Sequence, residues 1–137
     1  MNIDIFSHEG EGIDIVYDNK KWVVAIKNWK PDNDITGVHR LEVHHATDEQ
    51  FILMAGDAIL LTADFAGDHF ENIELEKMEL GKVYNVPQDK YFYSITKKNS
   101  KMAYVQDAGT SLDNSEYFEL NDEELVMIKT QAAELFA

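Results

Sequence analysis

The chain has 137 residues and no cysteine, so disulfides, thiol nucleophiles and thiolate metal sites are excluded, and the length suits one domain. Its 26 acidic and 12 basic residues give a formal charge of −14, which repels phosphate backbones and anionic lipids. We therefore expect neither nucleic acid nor a membrane as a partner. The first residues lack a signal-peptide pattern and no apolar run could span a bilayer, so we expect a cytoplasmic protein.

Short segments rich in β-branched and aromatic residues, separated by turn-forming residues, predict eight strands along most of the chain. In chain order the predicted strands are Ile13–Tyr17, Trp22–Trp29, Ile35–His45, Gln50–Leu61, Glu71–Glu79, Val83–Val86, Tyr91–Lys97 and Met102–Asp107. This number of strands with short connections predicts a closed barrel or a two-sheet jelly roll. The polar segment 107–115 is interpreted as a connector, with a lid over the barrel mouth as the alternative.

The C-terminal segment has a different pattern, which predicts one amphipathic helix from residue 122 to about residue 136. Asn121 and Glu124 have the spacing of a capping box. Apolar residues then recur at helical spacing, namely Leu125, Ile128, Ala132 and Leu135. We therefore divide the chain into a β-barrel domain, residues 1–118, and a C-terminal helix, residues 119–137, packed on the barrel or on a second subunit.

One predicted hairpin carries residues with chemical potential. Because side chains alternate along a strand, His39, Val43 and His45 share one face and His44 lies on the other. If Glu49 turns inward, it can meet His45 across the turn. A neighbouring carboxylate orients an imidazole and raises its pKa, which prepares a general base or a metal ligand. The alternative is a hydrogen bond that only fixes the hairpin.

The spacing in this hairpin resembles the first motif of the cupins. That motif has a glycine, five residues, a histidine, one residue, a histidine, three or four residues, a glutamate, six residues and a glycine. Here the corresponding positions are Gly37, Val43, His45, Glu49 and Gly56. Every position matches except the first histidine, which is replaced by valine.

A second cupin motif is only partly present. Gly81 and Pro87 match its glycine and proline, whereas Asp89, Phe92 and Thr96 stand where a glycine, a metal-binding histidine and an asparagine are usual. The resemblance implies an all-β fold, a single antiparallel jelly-roll barrel that is cupin-like, with the C-terminal α-helix attached.

The usual cupin metal site is incomplete in this sequence. Val43 and Phe92 occupy two of its four ligand positions and cannot coordinate a metal. His39 lies four residues from His45, roughly 13 Å along a strand, too far to share one ion. We therefore predict no metal and no cofactor. His69, or a shift in register, would rebuild a site, which leaves a metal-dependent enzyme with substituted ligands as a further alternative.

The resemblance first implies a metal-free protein that binds a small oxygenated metabolite, such as a sugar, a hydroxy acid or a ureide, without catalysis. Val43 and Phe92 would form the apolar floor of the pocket, and Ser94 and His39 would complete the ligand-binding residues. The strand segment Gln50–Met54 is apolar on both faces, which favours a homodimer.

The alternative is a metal-independent epimerase, isomerase or lyase. In that interpretation His45 is the general base, Glu49 orients it, and Tyr104 is the acid. In either interpretation His45 and Glu49 would point into one cavity inside the barrel, which Phe92 lines.

Overall fold

A computed structural model describes residues 2–137 and consists of ten strands, one α-helix and a short 3₁₀ helix at Pro31–Asn33. The longer elements are β1 Ile13–Asp18, β2 Trp22–Asn28, β3 Arg40–His44, β4 Glu49–Ala55, β5 Ala58–Phe65, β6 Phe70–Lys77, β7 Val83–Val86, β8 Tyr91–Thr96, β9 Lys101–Asp107, β10 Ser115–Glu119 and α1 Asp122–Phe136. No helix within residues 2–137 combines the length and apolarity needed to cross a membrane.

The strands form two five-stranded antiparallel sheets. The first sheet has the order β1-β2-β9-β4-β7 and the second has the order β10-β3-β8-β5-β6. The predicted antiparallel, mostly β fold with a C-terminal helix is confirmed. The predicted closure into one barrel is wrong, because each sheet keeps two edge strands and no ladder joins the two sheets. The fold is a sandwich of two facing sheets.

Two differences from the predicted strands affect the site. The segment predicted as one strand, 50–61, is two strands, because the chain turns at Gly56 with a φ of +72°. A Cβ atom there would collide with the carbonyl group of Asn99, so glycine suits this close approach. Strand β10, which falls partly in the predicted connector and has no counterpart among the predicted strands, pairs with β3 along the edge of the second sheet.

The apolar core has two layers. Phe51, Phe92 and Met102 are buried between the two sheets, where Phe51 and Phe92 have ring centroids 5.7 Å apart. The other layer lies on the outer face of the second sheet, where α1 covers Leu41 and Ile59. Burying one such side chain contributes about 1.5–3 kcal/mol. The second sheet therefore has an apolar outer face, whereas a face exposed to solvent would be polar.

The helix is fixed to the second sheet at its N-terminus. Asn121 Oδ1 accepts from the Glu124 amide at 2.8 Å, and Glu124 Oε1 accepts from the Asn121 amide at 2.8 Å, which is the predicted capping box. Glu124 Oε2 also accepts from the Phe70 amide at 2.6 Å. The buried faces of Ile128 and Ala132 then lie against the sheet. Asn121 and Glu124 thus begin the helix and attach it to β6.

Candidate functional site

A cavity of about 250 Å³ lies between the two sheets. Alternation along β3 determines its chemistry on one side, because Arg40, Glu42 and His44 face the cavity. Leu41 and Val43 are fully buried on the opposite face of the strand, and Leu41 belongs to the layer beneath α1. Strand β3 therefore presents its polar side chains inward and its apolar side chains toward the helix.

The first sheet forms the facing wall. Lys27 of β2, Glu49 and Phe51 of β4, and Tyr104 and Gln106 of β9 line the cavity. Tyr117 and Ser115 of the edge strand β10 complete the lining, with three residues of the preceding loop at the opening, namely Thr110, Ser111 and Leu112. Both sheets thus contribute titratable side chains to one enclosed space.

His44 and Glu49 form a close pair across the cavity. His44 Nε2 lies 3.0 Å from Glu49 Oε1, and His44 Nδ1 lies 2.7 Å from Ser115 Oγ. The Nε2–Oε1 contact is not aligned as a straight hydrogen bond. It is an ion pair when His44 is protonated, and Glu49 Oε1 is a buried acceptor that makes no hydrogen bond. Glu42 is more distant, with Oε2 3.9 Å from His44 Nε2.

The pKa of both members of this pair is raised. Burial raises the pKa of Glu49, and this effect outweighs the interaction with His44 and the nearby charges of His44 and Lys27. Burial opposes protonation of His44, but the polar contact and charge of Glu49 with the charge of Glu42 outweigh it and raise the pKa of His44. The pKa of each member is therefore raised, and because the two groups are in contact they titrate together.

Lys27 is the most deeply buried cation of the site. It is 6% exposed, and its Nζ donates to Ser94 Oγ at 2.8 Å. Burial lowers its pKa to about 8, and attraction to Glu42 and Glu49 offsets only part of this effect. The protonated ammonium group is therefore retained at a free-energy cost, which a purely structural role does not require.

Tyr104 lies in the same cavity as Glu49. It is 7% exposed, and burial raises the pKa of its hydroxyl, with further contributions from the charges of Glu49 and Glu42. Burial likewise raises the pKa of Tyr117 to about 12. Both phenols stay protonated at neutral pH and can donate a hydrogen bond to a bound molecule.

Besides Glu49, two further lining side chains have buried polar atoms without a partner. Arg40 Nε and Gln106 Oε1 are buried and make no hydrogen bond within residues 2–137. The Arg40 guanidinium group stacks on the ring of Tyr117, with its central carbon 4.0 Å from the ring centroid. Unpaired buried polar atoms cost free energy. A polar ligand that bonded to the Arg40 donor and the Gln106 acceptor would remove this cost.

The predicted inward orientation of His45 is wrong. Its side chain is 40% exposed, with Nδ1 2.8 Å from Asp89 Oδ1 and Nε2 2.6 Å from Glu116 Oε2. These carboxylates raise its pKa on the outer face of the second sheet. Asp89, which stands at a motif glycine, keeps a positive φ of +69°, so the turn survives without the glycine. His45 thus joins surface elements and does not contact Glu49.

The predicted ligand-binding residues also lie outside the cavity lining. Val43 shares the outward face of β3, and His39 is on the protein surface, with Nδ1 2.7 Å from Glu119 Oε2. Phe92 is buried behind the site, where its ring centroid lies 5.4 Å from that of His44. Ser94 is buried and contributes indirectly, by accepting from Lys27. Of the predicted site residues, Glu49 and Tyr104 line the cavity.

Glu42 and His44 line the cavity but are absent from the predicted site. They are found when the alignment with the first cupin motif is shifted by one residue. The motif allows three or four residues before its glutamate; four residues place Glu42 and His44, in place of Val43 and His45, at the inward positions before Glu49. The available signal is the alternation of polar Arg40, Glu42 and His44 with apolar neighbours. The sequence prediction assigns the apolar set to the interior of a barrel, whereas that set lies on the outer face of the second sheet, which α1 covers.

The donor set does not fit the metal ion that the cupin resemblance would suggest. Within the described residues, no group of three or more His, Asp or Glu side chains is arranged to hold a metal ion. His44 uses its nitrogens on Ser115 and Glu49, and the ring of Phe92 packs against the imidazole at an interplanar angle of 54°. His69 does not complete a site, because it is exposed and contacts Asp68 and Glu71.

Comparison with known proteins identifies the architecture. Pac13, a nucleoside dehydratase from Streptomyces, superposes with a TM-score of 0.57 at 8% identity over 85% of this chain and 86% of Pac13. A structural genomics target from Shewanella oneidensis gives 0.54 at 14% identity over 90% of this chain and 82% of that one. KdgF from a Halomonas species gives 0.52 at 10% identity over 70% and 76%.

No family model matches the sequence, and no curated protein sequence matches it either. The structural matches therefore establish the class by fold: this chain has a cupin-like fold, built as a two-sheet sandwich with a C-terminal helix. Within that fold, an inward His–Glu pair shares one cavity with a buried lysine and a tyrosine.

Proposed function

We propose that the cavity binds a small oxygenated metabolite and that Glu49 transfers a proton on it, as in a metal-independent isomerase, epimerase or lyase. The observation that carries this proposal is Glu49 itself, which is 5% exposed, lines the cavity and pairs with His44 at 3.0 Å. Burial raises the pKa of Glu49, which makes its carboxylate a stronger base toward a substrate proton.

His44 acts here as a positioning residue. Its contacts with Ser115 and Glu49 hold the carboxylate in place and stabilise its charged form before substrate deprotonation. Tyr104 supplies the complementary donor, because its hydroxyl stays protonated and faces the same space. Pac13, named as a dehydratase, is an example of a lyase on this fold, and the analogy supports proton-transfer chemistry without specifying a substrate.

The proposed reaction begins at a carbon next to a carbonyl group. Glu49 removes the proton, and the Tyr104 hydroxyl donates to the carbonyl oxygen, on which negative charge develops. Return of the proton to the same carbon on its other face completes an epimerisation, and return to a different carbon completes an isomerisation. Departure of a β-hydroxyl group as water, with the proton from Glu49, completes a lyase reaction instead.

Solvent deuterium exchange tests the proposal directly, because the readout is the same whichever product forms. Sugars, hydroxy acids and ureides are incubated with the protein in D₂O, and loss of C–H signals is followed by NMR. We expect exchange with the wild-type protein and a loss of at least about a hundredfold in Glu49→Gln, in the range of general acid–base catalysis.

The adjacent histidines provide a matched control. His44→Ala should slow exchange strongly because it removes the partner of Glu49, whereas His45→Ala changes an outward-facing side chain and should leave the rate unchanged. Exchange that persists at the wild-type rate in both Glu49→Gln and His44→Ala would refute the assignment of Glu49.

A second candidate function is binding without catalysis, and one observation favours it. Both ring nitrogens of His44 already have partners, so the histidine of the cavity lining cannot serve as a base and catalysis would depend on Glu49 alone. In that case a ligand would raise the unfolding temperature saturably, Glu49→Gln would reduce the effect, and no compound would exchange its C–H protons.

A further inference from the structure

The cations of the cavity are unusual for so acidic a chain. The single arginine of the sequence, Arg40, lines the cavity together with Lys27 and Lys30; we call these three residues the cavity cations. The chain has 26 acidic residues, yet none of the cavity cations has a carboxylate oxygen within 4.0 Å inside residues 2–137. The lysines that do form such ion pairs are Lys82, Lys90 and Lys101.

The nearest carboxylates of the cavity are directed elsewhere. Glu49 contacts His44 at 3.0 Å and Glu42 lies 3.9 Å from it, whereas Lys27 donates to the neutral hydroxyl of Ser94. Arg40 stacks on an aromatic ring and keeps a buried Nε without a partner. Cations withdrawn from water without a carboxylate in direct contact are destabilising, and an anionic group of a ligand would offset that cost.

The positive and the acid–base groups lie at opposite ends of the cavity. In the first sheet, Glu49 aligns with Gln106 and Lys27 aligns with Met102, four residues apart along β9. In the second sheet, His44 and Arg40 are likewise four residues apart. Four residues span roughly 13 Å between backbone positions. His44 of β3 meets Glu49 of β4 at one end of the cavity. Arg40 of β3 and Lys27 of β2 therefore lie together at the other end.

We propose that the ligand is an extended hydroxycarboxylate that also carries a carbonyl group. Its carboxylate binds the cavity cations, with Arg40 as its main partner, and the carbons beside its carbonyl group reach Glu49. This inference rests on the proposed function and adds the charge and the orientation of the substrate. The planar guanidinium group of Arg40 matches a carboxylate through paired donors, and Lys27 and Lys30 supply further positive charge. The acid–base end then acts on carbons remote from the carboxylate.

D-gluconate and D-glucitol are matched probes, because they differ only in a carboxylate against a hydroxymethyl group. Isothermal titration calorimetry with the full chain should show saturable gluconate binding in the millimolar range or tighter, and glucitol binding at least about tenfold weaker. Arg40→Gln should weaken gluconate binding about ten- to a hundredfold, the contribution of a charged hydrogen-bonded pair. It should leave glucitol binding unchanged.

Lys129→Gln is the control, because it removes the same charge from α1 outside the cavity and should not change either affinity. Lys30→Gln tests the same inference at the cavity edge, should Arg40→Gln fail to fold. Equal affinities for gluconate and glucitol would overturn the inference while leaving the proposed function in place. Absence of gluconate binding at millimolar concentration, or binding unaffected by both Arg40→Gln and Lys30→Gln, would also overturn it. The proposed function is judged separately, by deuterium exchange in Glu49→Gln.

Discussion

Replacing Lys27 with methionine should make the protein more stable. A lysine pKa that falls from 10.5 to about 8 means that the charged side chain costs about 3 kcal/mol relative to the neutral one in the folded state. Methionine has a similar length and resembles the neutral lysine. It loses the hydrogen bond to Ser94, worth about 1 kcal/mol, although the Asn33 amide still donates to that hydroxyl at 3.2 Å. We expect a net gain of about 2 kcal/mol at pH 7.

The pH dependence provides a more specific test of the same reasoning. Below pH 8 both the folded and the unfolded Lys27 are protonated, and the full cost is present. Between pH 8 and 10.5 the folded protein releases this proton and the unfolded chain keeps it, so wild-type stability rises with pH relative to Lys27→Met. The advantage of Lys27→Met should therefore shrink over this range.

Urea denaturation at several pH values measures both effects through the free energy of unfolding. A Lys27→Met protein that is less stable than wild type at pH 7 would refute the reasoning. A stability difference that does not change between pH 8 and 10 would refute it equally. The same variant should bind gluconate more weakly, because it lacks one of the cavity cations.

Three further changes test the pair, a turn and the helix cap. The pKa of His44 is raised from 6.5 in the folded state, so the stability advantage of wild type over His44→Gln should decline as the pH rises above 6.5; a difference in urea denaturation that stays constant over that range would contradict the pairing. Gly56→Ala should cost about 2 kcal/mol in thermal unfolding, whereas Gly81→Ala, with a similar positive φ but open space, should cost less; equal losses would exclude the close contact as the cause. Asn121→Ala should cost about 1 kcal/mol by the same assay, and no loss would show that the capping box is dispensable.

Much of the fold follows from local sequence patterns. The capping box and apolar spacing predict the helix, and the short segments rich in β-branched residues predict most strands. Strand β10 escapes prediction because Ser115 and Tyr117 lie after a turn-rich polar segment, and their pairing with β3 joins positions about 70 residues apart in the chain. Such long-range pairing leaves no local signal. Closure into a barrel likewise depends on whether edge strands far apart in the chain pair with each other. The sequence therefore does not distinguish a closed barrel from an open sandwich.

The site shows a different limitation. Glu49 is predicted and lines the cavity, but its predicted partner is His45 and its partner in the structure is His44. A period-two pattern identifies which residues share a face of a strand; it does not indicate which face is inside. In this protein the apolar face of β3 faces away from the cavity, and the polar face lines it. The rule that apolar residues face the interior therefore selects the wrong face at this strand.

The open sandwich has a mechanical consequence for ligand binding. Glu49 belongs to the first sheet and Arg40 to the second, and no strand ladder connects the two sheets. A molecule that contacts both residues would link two sheets that no strand ladder joins. Part of its binding energy would be spent on restraining their relative motion. Hydrogen exchange should then slow on both sheets when the cavity is filled, including at strands that the ligand never touches.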